Sequence, residues 1–236
     1  VNNQQDITRV TEAQAVLEAV HAARGPLGHV TRELLTDALD HLAWVARGTA
    51  WTLNACAADG ARKLAEAAEN AAQPELAELA REVQEVAHAV ATASTGQRVS
   101  LGQAHNTARV AQGGTRPGPG KYGAQAGEQA VAQLSRAAAL MRQSGRAVID
   151  AAGVQTVVGA LERITSLLAA LLDRCAHAAK ELAERSTDED AVERHRATAR
   201  DVSTARRNTR ELRRELERVH DLTGQLHELD ARTRRS

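Results

Sequence analysis

The chain has no phenylalanine, one tyrosine and two tryptophans among its 236 residues. Ligand pockets are mostly lined by aromatic and bulky apolar side chains around a few polar groups. A chain with only Trp44, Trp51 and Tyr122 to offer is poorly equipped for such a pocket. Cysteine is scarce as well. Cys56 and Cys175 each sit in an apolar helical pattern, which suits buried thiols acting as small hydrophobes rather than a disulfide framework. Strand signals are missing: there are no alternating runs of β-branched and aromatic residues and no Asn-Gly turns. The H-E-x-x-H, C-x-x-C and G-x-S-x-G patterns do not occur. Net charge is zero, which excludes a chain that is basic throughout. No long apolar run is present. The strongest, Ile164 to Leu172, falls far short of the ~20 residues a membrane span requires. Residues 1–15 are polar and carry no signal-peptide core. Together these absences predict a cytoplasmic protein without cofactor, metal or small-molecule substrate.

What the chain does have is alanine, leucine, valine and arginine. Hydrophobic residues make up 43% of it, enough for a sizeable core. Basic charge is carried almost wholly by arginine, the only lysines being Lys63, Lys121 and Lys180. Abundant alanine and arginine suggest GC-rich coding and a bacterial source. The charge is unevenly spread. Residues 1–94 are net −6 and residues 95–124 net +4. Residues 125–184 are balanced, and residues 185–236 are net +2.

Helical periodicity runs through nearly the whole chain. The pattern predicts an all-α bundle of five or six helices ending in a long amphipathic one. A first helix is expected from Asp6 to Arg24, stopped at Gly25-Pro26. A second runs from Leu27 to about Ala72 with a kink at Asp59-Gly60. Pro74 opens a third, with Gly96 as its cap. Residues 97–124 read as a Gly/Pro-rich linker or long loop, with a short helix over 101–112. Its Gly-Pro-Gly-Lys-Tyr run does not satisfy the phosphate-loop pattern. The linker divides an N-terminal helical unit, 1–96, from a C-terminal one, 125–236. A fourth helix is expected over 124–152. The fifth, 154–185, carries the clearest stripe, from Val154 and Val157 through Leu161, Ile164, Leu168 and Leu172 to Leu182. Ser186 and Glu189 form a capping-box pattern before the last helix. A faint echo links Leu53–Cys56 to Leu172–Cys175. It fits a duplicated three-helix unit, although chance resemblance is common in Ala/Leu-rich sequence.

The last helix carries two opposed faces. At 100° per residue, Val202, Ala205, Thr209, Leu212, Leu216, Val219, Thr223 and Leu226 form an apolar band. Arg196, Arg200, Arg207, Arg210, Arg214 and Arg218 fall in a narrow arc opposite. The arc extends about 33 Å at 1.5 Å per residue, close to one turn of DNA. Arginine suits bidentate phosphate contact, so the arc is a candidate polyanion site. Glu211, Glu215 and Glu217 are spaced to neutralise part of it, and no aromatic is interleaved for base stacking. The apolar band drifts faster than the ~20° per heptad of a regular coiled coil, so a uniform coiled-coil zipper is not expected. Its C-terminal part, Leu212, Leu216, Val219 and Leu226, is a candidate dimer or partner contact.

Trp44 and Trp51 lie seven residues apart on one helix face, a candidate partner contact because tryptophan is enriched where binding energy concentrates. Glu33, Asp37 and His41 stack at four-residue spacing with Asp40 adjacent. A di-iron bundle needs Glu-x-x-His motifs converging from two helices, and this stack alone predicts no metal. The function expected is therefore that of a non-catalytic scaffold or adaptor joining a protein partner or another copy of itself. The alternative is a nucleic-acid-associated accessory protein using the arginine arc.

Overall fold

The computed structural model describes residues 2–23, 31–110, 124–144 and 150–235, and these form an all-α bundle. Eight α-helices follow in order: α1 (Asn2–Ala22), α2 (Arg32–Thr52), α3 (Asp59–Asn70), α4 (Pro74–Ala93), α5 (Thr95–Val110), α6 (Ala124–Gln143), α7 (Ala151–Arg185) and α8 (Glu189–Thr233). A π-helical segment, Leu53–Ala58, joins α2 to α3 without a break. Helices α4 and α5 meet at Ser94, whose hydroxyl donates to the Ala91 carbonyl at 2.6 Å. The described residues thus make six rods.

Helix α7 is the axis. Val154, Val157, Val158, Leu161, Ile164, Leu168, Leu171, Leu172 and Cys175 are all fully buried. Each fully buried leucine is worth about 1.5–3 kcal/mol relative to exposure. Asp150 caps the helix by accepting from the Gly153 amide at 2.6 Å. By length and composition α7 could cross a membrane; 61% of its most apolar window is buried inside the bundle. The uncharged leucine-rich centre, Ile164 to Leu172, is short, but Val154, Val157, Val158 and Leu161 lengthen the apolar stretch on its N-terminal side.

Helix α8 lies along α7 in the most extensive pairing of the fold. Its 45 residues reach about 67 Å at 1.5 Å per residue. The whole expected apolar band, Val202 through Leu226, is buried. That corrects one expectation. Leu212, Leu216, Val219 and Leu226 are core residues of this chain, covered by its own helices, and offer no dimer surface. Polar pairs fix the register: His220 Nδ1 lies 2.9 Å from Glu162 Oε2, and Arg206 pairs with Asp173. The cap of α8 is Asp188, which accepts from the Asp190 amide at 3.1 Å. Ser186, expected to open a capping box, instead ends α7.

The region expected as a linker is helix as far as Val110. Leu101, Ala104 and Ala108 are buried, and Gln97 Nε2 donates to Thr209 Oγ1 of α8 at 3.0 Å. Gly96, expected to cap α4, lies inside α5. Gly96 and Gly102 both face open space, so neither interrupts the packing. The rest of the expected linker, 111–123, lies outside the described residues, as do Gly25-Pro26 and Tyr122. Nor do the two expected units separate. Helix α1 packs on α6 and α7, α2 on α6, and α5 on α8, giving one core that runs from Val10 to Leu226. Arg174 of α7 reinforces this by donating to the His21 carbonyl at the end of α1 at 2.6 Å, where helical carbonyls lack intrahelical partners.

The expected kink at Asp59-Gly60 is replaced by the π-helical turn just before it. There the echo with Leu172–Cys175 stops at the sequence: one copy is π-helical and the other regular α-helix. Helix α3 ends in a Schellman motif. The Gln73 amide bonds the Ala68 carbonyl at 2.9 Å, the Ala72 amide bonds Glu69, and Ala72 has φ 59°. Glycine normally holds that left-handed position; here alanine does, and Pro74 starts α4 two residues later.

Candidate partner-binding surface

Three large hydrophobic side chains stand exposed among the described residues: Trp51, Val99 and Val110. Trp51 is 61% exposed, just before the chain enters the π-helical segment at Leu53. Trp44, two turns earlier on α2, is half-buried against the core. Between them lies Gly48. A β-carbon there would stand 2.5 Å from Met141 Cβ of α6, so glycine is what lets α2 and α6 approach so closely. The approach brings Met141 and Arg142 beneath and beside the tryptophans. The result is a cleft of about 170 Å³ lined by Trp44, Arg47, Gly48, Trp51, Met141 and Arg142.

The cleft is cationic and its cations are held in place. The guanidinium carbon of Arg47 lies 4.6 Å from the Trp44 ring centroid and that of Arg142 4.8 Å. Cation–π contact is worth about 0.5–1 kcal/mol at exposed sites and ~2 or more when desolvated. It restrains a guanidinium without neutralising it. Neither arginine has a carboxylate within 4 Å among the described residues. Arg47 and Trp51 also line a groove that continues to α4 and α5, past His88, Thr95 and Arg98. A third depression carries on from Arg47 and Arg98 to Val99 and Thr107. Arg98 donates to Thr95 Oγ1 at 2.8 Å, while its buried Nε has no partner. The linings of all three depressions include no aspartate or glutamate.

The sequence found Trp44 and Trp51, and the structure does place them on one surface. It could not find Gly48, Met141, Arg142 or Arg98, which reach that surface from three helices. A glycine inside an otherwise well-formed helix is the one local signal, since it costs ~1 kcal/mol relative to alanine.

The arginine arc of α8 is solvated. Arg196, Arg200, Arg207, Arg210, Arg214 and Arg218 are all exposed. Arg200 pairs with Glu193 at 2.8 Å and holds its carboxyl below the usual range, through the hydrogen bond first and the charge second. The other five have no ion-pair partner among the described residues. Of the acidic residues expected to neutralise the arc, Glu217 pairs with Arg213, off the arc, at 2.7 Å. Arg196, Arg200 and Arg207 line an open groove of about 540 Å³ with Ser203, Thr204 and Lys180. Lys180 comes from α7 and was invisible to a reading of α8 alone. Arg210, Arg214 and Arg218 continue the arc beyond that groove.

Among the described residues no group of three or more His, Cys, Asp or Glu side chains is placed to hold a metal ion. Glu-x-x-His spacing does occur, at Glu18–His21, Glu85–His88 and Glu217–His220. Members of each pair are engaged elsewhere: Glu18 with Arg163 at 3.0 Å, His88 with Asn54 at 2.9 Å, and His220 with Glu162.

No family model matches this chain, and neither a curated protein nor a solved structure matches it.

Proposed function

We propose that this protein is a non-catalytic helical adaptor of the cytoplasm that binds another protein through the surface around Trp51. One observation carries the reading. A bundle otherwise packed from alanine, leucine and valine leaves one of its two tryptophans, Trp51, 61% exposed at the edge of a formed cleft. Tryptophan and arginine are the residues most enriched where interface energy concentrates, and this surface combines both. Binding is tested by placing a photo-cross-linking amino acid at position 51 of the full chain in its own cells. A discrete adduct, from a partner or a second copy, is expected; a control probe at exposed Glu85 should not give it. If position 51 cross-links no better than position 85, the reading is wrong.

A second reading is favoured by a separate observation, the five unpaired arginines of the α8 arc. They would give the protein a sequence-independent hold on nucleic acid or another polyanion. Retention on a DNA column that falls steeply with salt supports it, and failure to bind at low salt removes it.

A further inference from the structure

We propose that the Trp51 surface takes an acidic peptide segment, with a carboxylate held by Arg47 and Arg142 and a neighbouring aliphatic side chain seated in the cleft between the tryptophans. The proposal rests on the reading of this face as a protein-binding surface and adds the chemistry of what it binds. Three observations converge on it.

The first is charge. Arg47, Arg98 and Arg142 line connected depressions whose walls hold no carboxylate. The segments 24–30, 111–123 and 145–149 hold none either, and each carries arginine or lysine. Those segments therefore cannot neutralise the site, and a complementary occupant brings its own negative charge.

The second is pre-organisation. Two guanidiniums held over the Trp44 ring have already lost much of the rotamer freedom that binding would otherwise cost. A planar guanidinium in a fixed position offers paired N–H donors matched to a carboxylate.

The third is shape. The floor of the cleft is apolar, formed by Trp44, Gly48 and Met141. Its volume of about 170 Å³ is that of some five to six waters at ~30 Å³ each, room for one aliphatic side chain. A single-stranded nucleic acid would instead use successive aromatic platforms for stacking bases. Here Trp51 alone is open, and Trp44 is already covered by arginine.

The chain's two tryptophans both line the cleft, so intrinsic fluorescence of the full chain reads occupancy. The probe is a short acetylated peptide of glutamates with two interspersed leucines. The controls are an all-glutamate peptide of equal length and oligothymidylate. Expected is a saturable change in tryptophan emission with the leucine-containing peptide, about tenfold weaker for the all-glutamate peptide. A double Arg47→Gln, Arg142→Gln variant should bind the leucine-containing peptide about tenfold more weakly or worse, with unchanged helix content and a melting temperature lowered by only a few degrees through the lost stacking on Trp44. Trp51→Ala, followed calorimetrically, should weaken binding to a similar degree. Equal binding of both peptides overturns the apolar seat. Tighter binding of oligothymidylate overturns the peptide assignment. Absence of peptide binding at low salt overturns the proposal outright. Should position 51 still cross-link a protein while the peptide fails to bind, the docking surface survives and only the acidic-segment assignment falls. Should both fail, the docking surface falls too.

Discussion

The Trp51 cleft and the α8 arc are both lined by arginines that, Arg200 apart, have no ion-pair partner among the described residues, yet they are built in opposite ways. At the cleft, arginines from α2 and α6 are clasped over one indole, and the close approach at Gly48 sets their positions. Along the arc, arginines from a single helix stand in water with no aromatic beside them among the described residues. Fixed donors next to an apolar seat favour selection of one shape and charge. A row of solvated charges favours any polyanion and weakens as salt rises. Arginine content alone does not distinguish a specific surface from a general one; what the guanidinium leans on does.

The largest expected effect separates the two faces of α8. Leu216 is fully buried on the side opposite the arc. Leu216→Ala should cost about 2–5 kcal/mol, measured by urea unfolding, with no change in oligomeric state by sedimentation. Dissociation of an oligomer with little loss of stability would return Leu216 to an interface role.

Next comes the cleft. Gly48→Ala places a β-carbon against Met141 and should cost about 1–3 kcal/mol as the two helices are forced apart. It should alter tryptophan emission while leaving any DNA-column retention through the arc unchanged. If emission and stability both stay at their original values, the close approach does not shape the cleft.

Acid should reach the arc's helix through His195. Burial first, then the charges of Arg32 and Arg194, lower its pKa from the ordinary value. Its ring is buried and Nε2 has no partner. The unfolded chain therefore binds the proton more tightly than the folded one. This group's cost to stability is absent well above about pH 6.5 and grows as pH falls from there toward the lowered folded value. The urea midpoint should drop between pH 7.5 and 5.5, and His195→Gln should flatten that dependence. An unchanged slope in the variant would exclude His195 as the cause.

The smallest effect on stability belongs to the arc itself. Converting Arg207, Arg210 and Arg214 to glutamine should leave the melting temperature nearly unmoved, since exposed charges contribute little. If the arc holds DNA, the slope of log affinity against log salt should fall by about one for each phosphate no longer neutralised. Cleft fluorescence should not respond. A variant whose peptide binding changes as well would merge the two surfaces into one field.

Much of this fold was legible because α7 and α8 each bury a continuous face, and three- and four-residue spacing reports that directly. Leu212 through Leu226 show the limit of such spacing. An apolar band looks the same whether its cover is the same chain or another, so a core face read as a possible dimer face. Gly96 read as a helix cap, yet in α5 it merely faces open space. The π-helical turn left no pattern, because a single wider turn shifts the phase without altering composition. The cleft itself was half visible. The two tryptophans share a helix, but Arg98, Met141 and Arg142 join them only through the packing of α2 against α5 and α6.

The two thiols give the interior a clock. Neither Cys56 nor Cys175 forms a disulfide, and both are fully buried. Burial pushes the Cys175 thiol up to about 12, against a small opposing pull from Arg174. It is therefore protonated and shielded at neutral pH, when the thiolate is the reactive form. An alkylating reagent can modify it only when α7 breathes away from its neighbours. Cys56 times the π-helical junction beside the cleft in the same way. The rates at which the two sulfurs react would show whether the bundle opens as a whole or yields first beneath the tryptophans.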